Sequence, residues 1–151
     1  MTPEEKLYEL GLSIPPAPKP VGHYQPVVIS GNLAFLSGQV SKDSKGKLLT
    51  GKVGKDLSLA EGQTAARLAA LNALSVMKHL IGFDRIRRVV KMTGFVQTAP
   101  DFYQIPEVLN KASELLTAVM GEHGAHARSA VGMASLPLNA AVEIELILEV
   151  K

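Results

Sequence analysis

The chain has no cysteine and no tryptophan, and only 5% of its 151 residues are aromatic. The first absence excludes a disulfide scaffold, a thiolate zinc site, a Cys-X-X-Cys redox centre and a cysteine nucleophile. Scarce aromatics argue against a platform on which nucleic-acid bases stack. No run approaches the ~18–20 apolar residues of a membrane span. The opening Met1-Thr-Pro-Glu-Glu-Lys6 shows neither an apolar core nor a small-residue cleavage site. The expectation is a cytoplasmic protein with no membrane partner. Charge is equally uninformative, since 16 Lys and Arg against 14 Asp and Glu leave a formal +2. That is too mild to announce a nucleic acid. HExxH, Walker, GxGxxG, GxSxG and EF-hand patterns are all missing.

What is present is a hydrophobic fraction of 46%, rich in Ala, Val and Leu. One domain of this length buries about 68–70% of its unfolded surface, enough for a core without staples. Thr2, Pro3 and Glu5 form the start of a short helix, and Gly11 its stop. The run Ile14-Pro-Pro-Ala-Pro-Lys-Pro20 is a stiff connector. Residues 1–20 are therefore set apart from a single domain over 21–151. In that domain Gly31-Asn32 joins two apolar runs as a hairpin, with a possible further short strand at Leu48-Leu49. Ser58 and Glu61 cap a long, alanine-faced helix that stops near Gly82. Arg87–Thr98 reads as a strand, and Pro106–Gly121 as a second helix. Strands over Ala127–Leu136 and Ala141–Val150 end the chain, joined as a hairpin through Pro137-Leu-Asn-Ala140. The order implies an α+β two-layer sandwich, with both long helices on one face of a mostly antiparallel sheet.

Side chains alternate across a strand, so parity assigns faces. Val142, Ile144, Leu146, Leu148 and Val150 belong to the core, which leaves Glu143 on the open face. Placing Val131 and Met133 in the core puts Arg128, Ala130, Gly132 and Ala134 on that open face too. Such a row of small residues suggests close approach by a second subunit. With the last two strands paired, Arg128 and Glu143 share a face but stand roughly 20 Å apart in one chain. If they cooperate, one must come from a neighbour.

Arg128 is suited to bidentate capture of a carboxylate, with a structural ion pair as the alternative. His79 lies near a helix end, where a cation favours the dipole. His123 and His126 stand close to Arg128, but a metal set built from them has only Glu122 as a carboxylate, and none is assigned. The basic run Arg85–Lys91 alternates across a strand start and reads as a solvated sheet end, so a nucleic-acid partner is not expected.

Several segments resemble the RidA/YjgF family, also called the liver perchloric-acid-soluble protein family. They are Val21-Gly-His-Tyr24, Leu36-Ser-Gly-Gln39, Lys91-Met-Thr-Gly-Phe-Val96, Ala127-Arg-Ser-Ala-Val-Gly-Met-Ala-Ser-Leu-Pro137 and Val142-Glu-Ile-Glu145. The resemblance implies a chorismate-mutase-like fold and a homotrimer with clefts between subunits. It also implies cofactor-free hydrolysis of 2-aminoacrylate or 2-imino acids to 2-keto acids and ammonia. By the same resemblance, Arg128 matches the residue that grips the substrate carboxylate, and Ala130 the one whose backbone lies near the nitrogen. Glu143 matches the water-positioning glutamate, Tyr24 the site tyrosine, and Asn110 an asparagine from the second helix. Ser37 and Gly38 match a segment bordering the cleft. Many deaminases of the family carry Cys where this chain has Ala130, and the Pro-rich segment is an addition; both suggest a side branch. A trimer that senses small 2-keto carboxylates without turnover is the alternative. The ribonuclease activity behind the family's older name has the least support, for want of paired histidines and a basic groove.

Overall fold

Two capping boxes start the structure as the sequence predicts. Thr2 accepts from the Glu5 amide at the head of α1 (Pro3–Glu9), and Ser58 accepts from the Glu61 amide at the head of α2 (Leu59–Val76). Between them run β1 (Val27–Ser30), β2 (Leu33–Leu36) and β3 (Gln39–Val40). Then come β4 (Ile86–Gln97), α3 (Ile105–Met120), β5 (Ala127–Met133) and β6 (Val142–Val150). The structure is a computed structural model that describes residues 1–19 and 22–151. Pro20 and Val21, which include the expected domain boundary and the start of one family-like segment, lie outside the described residues.

The result is an α+β sandwich in which α2 and α3 pack together and cover one face of a six-stranded sheet. Its order is β1-β2-β6-β4-β5, and β3 continues the line of β2 along β6. All pairings are antiparallel except β4 with β5. The alanine face of α2 does what small side chains allow: Ala65, Ala66, Ala69, Ala70 and Ala73 are buried, so the helix lies close to its neighbours. No separate strand forms at Leu48-Leu49; Leu48 makes only an isolated bridge with Lys42.

The terminal helix is not a remote appendage. Leu7 is buried in the main core, Leu12 and Ile14 pack against it, and α1 touches α3. The Pro-rich strap is tied to α2 by the Ser75 hydroxyl, which donates to the carbonyls of Pro15 (2.8 Å) and Pro16 (2.9 Å).

The expected hairpin between the last two strands does not form. β5 lies parallel to β4 with α3 as the crossover, at the edge of the sheet, and β6 lies on the other side of β4. The link from β5 to β6 must therefore pass across the end of β4. It does so through a turn in which Leu138 (φ 62°) and Asn139 (φ 59°) are left-handed. Gln97, the last residue of β4 and 1% exposed, holds this turn from below. Its amide nitrogen donates to Asn139 Oδ1 (2.8 Å) and to the Gly51 carbonyl (3.0 Å), and its Oε1 accepts from the Leu136 amide (2.7 Å).

This register reverses the faces expected for β5. Arg128, Ala130 and Gly132 stand level with Met92, Gly94 and Val96, which point into the helical layer. The small residues make room for α3 of the same chain. A Cβ on Gly132 would lie 2.8 Å from Ile105 Cδ1, and one on Gly94 would overlap Leu109. Val131, expected in the core, is on the open face and 39% exposed. The alternation of the basic run is broken by two bulges, where Arg87 and Val90 are extra residues against β6. Arg85, Arg87 and Arg88 are exposed at that sheet end.

Candidate active site

The residues singled out from the sequence fall into two clusters. The first lies where β2 gives way to β3. Glu143 projects from β6 onto the open face beside Val40 of β3 and Phe95 of β4. A Cβ on Gly38 would lie 2.8 Å from the Glu143 carboxyl, so only glycine leaves that carboxyl its place. Burial, and secondarily the charge of Glu145, raises the Glu143 pKa above the ordinary 4.5. Ser37 is anchored beside it: its hydroxyl donates to the Gln25 carbonyl (2.6 Å) and its amide to the Pro26 carbonyl (2.9 Å). Those bonds fix the segment that carries Tyr24, whose ring is exposed next to Gly22. Ser37, Gly38, Glu143 and the Tyr24 segment thus form one neighbourhood.

The second cluster lies on the other face, at the β5 edge. Arg128 Nη1 donates to Asn110 Oδ1 (3.0 Å) and Ser113 Oγ (3.2 Å), both on α3. Ala130 follows on the same side of β5, partly buried against the core. His126 precedes Arg128 and stands between Ser113 Oγ (3.0 Å from Nε2) and the Gly124 carbonyl (2.6 Å from Nδ1). Sequence reasoning joined Asn110 to Arg128 only through the family resemblance and gave Ser113 no part. Two signals for this cluster were available. His126, just before β5, shares one parity with Arg128 and Ala130 on it, and Asn110 and Ser113 are three apart on one helix.

The two clusters do not meet within a chain. Arg128 is level with Met92, and Glu143 with Phe95, on the two strands flanking β4. Strand spacing and rise put their Cα atoms roughly 14 Å apart, with the side chains on opposite faces. This corrects both the shared face and the 20 Å separation expected from a β5–β6 hairpin. The need for a second chain, if the two act together, is unchanged.

Other elements of the molecule add little to these clusters. Glu122 and His123 form an exposed pair at 3.7 Å, and His126 takes no part in it. Among the described residues no three His, Asp or Glu groups are placed to hold a metal ion. No helix among the described residues is long and apolar enough to cross a membrane. The open face carries two separate apolar pairs, Phe35 with Ile147 and Phe95 level with Val131, divided by a row of Glu145, Thr93 and Ser129, and Lys91 reaches Ser129 Oγ at 3.2 Å.

Comparison with known proteins adds a second line. The profile of the family described as "YjgF/chorismate_mutase-like, putative endoribonuclease" matches residues 4–150. Protein TCP17 of Trypanosoma cruzi is 43% identical over 145 residues, covering 95% of this chain and 91% of that protein. The 2-iminobutanoate/2-iminopropanoate deaminase of Salmonella typhimurium is 32% identical over 133 residues, covering 87% of this chain and 90% of its own. The crystal structure of a "putative endoribonuclease" from Shewanella oneidensis superposes with a TM-score of 0.95 at 34% identity, over 99% of this chain and 100% of that one. That match takes in the amino-terminal helix and strap, which are thus shared with at least one relative. By profile, by sequence and by fold, the chain belongs to the YjgF/RidA family.

Proposed function

We propose that this protein hydrolyses 2-imino acids, or the 2-aminoacrylate tautomer, to 2-keto acids and ammonia, at sites shared between the subunits of a homotrimer. The observation that carries the reading is the division of the site residues. Arg128 stands with Asn110 and Ser113 at the sheet edge, Glu143 stands beside Gly38 on the opposite face of the same chain, and neither reaches the other. The deaminase name of the Salmonella relative supports the same chemistry.

In this reading Arg128 holds the substrate carboxylate and fixes the imine carbon relative to the neighbouring subunit. The backbone at Ala130 lies near the substrate nitrogen. Glu143 of the adjacent chain orients a water and takes its proton as the oxygen attacks the imine carbon. The raised pKa makes it a better base than a solvated glutamate. Glu143 passes that proton to the nitrogen to give the neutral carbinolamine, then takes the hydroxyl proton as the carbonyl forms and returns it to the nitrogen, which leaves as ammonia. Water is consumed, the imine C=N is replaced by C=O, and no redox change occurs. Tyr24, Ser37 and Gly38 border the cleft, and the chemistry calls for no metal or organic cofactor.

The test generates 2-iminobutanoate in situ with an amino-acid oxidase and follows its decay. Wild type accelerates the decay, and Arg128→Ala lowers kcat/KM by about 100-fold, the order of a lost charge-assisted fork. Equal decay with wild type and Arg128→Ala sinks the proposal. Saturable binding of 2-keto acids without any turnover would favour a sensor instead.

A further inference from the structure

Arg128 is held by a closed chain of contacts that begins and ends on α3. Gly124 packs so tightly on the helix that a Cβ there would overlap the Leu116 carbonyl. Its own carbonyl faces His126 Nδ1 at 2.6 Å, His126 Nε2 faces Ser113 Oγ at 3.0 Å, and Arg128 Nη1 reaches Ser113 Oγ at 3.2 Å and Asn110 Oδ1 at 3.0 Å. A carbonyl can only accept, so the proton sits on Nδ1. With Nδ1 donating, Nε2 is the nitrogen left to accept, and it faces the Ser113 hydroxyl. With its proton committed there, the Ser113 oxygen turns a lone pair to Arg128.

Without a partner, a helical hydroxyl has a competing choice, the carbonyl four residues back. This protein shows that choice twice: Thr117 donates to the Ser113 carbonyl at 3.1 Å, and Thr64 to the Ala60 carbonyl at 3.2 Å. Ser113 does not make that bond, because His126 takes its proton. The two hydrogens of Arg128 Nη1 are thereby occupied, and the Nε–Nη2 edge bonds to no described residue. That edge is the side-on fork that matches the two oxygens of a carboxylate.

We propose that His126, acting through Ser113, is a positioning residue that sets Arg128 to take a carboxylate side-on, and so controls affinity rather than the chemical step. The inference rests on the reading of Arg128 as the carboxylate grip. Nitrogen-15 NMR of the full-length protein tests the network itself, and binding of 2-oxobutanoate and turnover of 2-iminobutanoate test its effect. The expected result is a proton on His126 Nδ1, with Arg128 Nη1 hydrogens protected from exchange in wild type and released in His126→Ala. In His126→Ala and Ser113→Ala, KM and the Kd for 2-oxobutanoate rise together by about 5- to 10-fold, and kcat stays within about twofold. The double variant is no worse than either single one, and Ser113→Thr restores affinity. A proton on Nε2, unchanged Arg128 exchange in His126→Ala, or an active His126→Ala with unaltered KM overturns the proposal. So does a Ser113→Ala that loses kcat with KM intact, because Ser113 would then be reacting. A wild type that binds 2-oxobutanoate, more weakly after His126→Ala, yet hydrolyses no imine overturns the deaminase reading and supports this one.

Discussion

Glu143 differs from the other two glutamates on its face, Glu145 and Glu149, in what surrounds it. The backbone at Gly38 closes over its carboxyl, and burial raises its pKa. The raised value means that the folded protein binds this proton more tightly than the unfolded chain does. Between the ordinary 4.5 and the folded value, the native state therefore holds the extra proton. Stability from this group is complete below 4.5 and is lost as pH rises through the folded value. Glu143→Gln removes the cost of burying the charge. The variant is expected to show a higher Tm than wild type at pH 7, a gap that closes as the pH falls below 4.5. The same variant loses turnover by about 100-fold or more, the scale of a missing general base. Thermal unfolding at several pH values and the imine-decay assay check the two halves. A gap that persists in acid would assign the gain to something other than ionisation.

At the level of elements, the passage from β5 to β6 decides where the site residues stand, and Gln97 secures it. Three hydrogen bonds from one buried amide hold Leu136, Asn139 and Gly51 together. Replacing Gln97 by Leu leaves the Leu136 amide and the Gly51 carbonyl without those partners. The expected loss is about 2–4 kcal/mol in urea unfolding, from stranded polar groups. A loss under about 1 kcal/mol would mean that water or neighbours take over the bonds. Much of this level was legible in the sequence. Capping residues marked α1 and α2, Gly31-Asn32 marked the first hairpin, and alternation placed Val142 to Val150 correctly. The fault lay in β5. Eight residues between Met133 and Val142 suffice either for a hairpin or for stepping over one strand, and periodicity does not distinguish them. The small side chains of β5 were correctly read as a mark of close approach, but α3 is what approaches. Ser113 was missed because a serine on a helix face has no pattern of its own. It acquires one only when tertiary packing brings His126 and Arg128 to it.

For the whole molecule, the opposite-face placement of Arg128 and Glu143 predicts a specific behaviour of mixtures. Arg128→Ala and Glu143→Gln chains are each expected to be about 100-fold less active alone. In the homotrimer proposed above, chains unfolded together in equal amounts and refolded would assemble so that some sites draw an intact arginine from one chain and an intact glutamate from the next. Random assortment in a cyclic trimer restores about a quarter of the sites. Co-refolding followed by the imine assay measures this directly. Activity that never rises above that of the separate variants would mean that both residues serve a site from one chain.

The placement of β5 at the sheet edge, with β4 between it and the strand of Glu143, also sets how the protein bears damage. Each chain would give half of one site to one neighbour and half of another site to the other neighbour. A chain defective at Arg128 alone would silence one site of the trimer and leave the other two working. Its glutamate would still serve. In a cell holding both forms, activity would then fall in proportion to the share of defective chains, and the defective copy would not poison the intact ones. A chain that lost both residues would silence two of the three sites. Severity would thus depend on whether two lesions fall in one copy or in two.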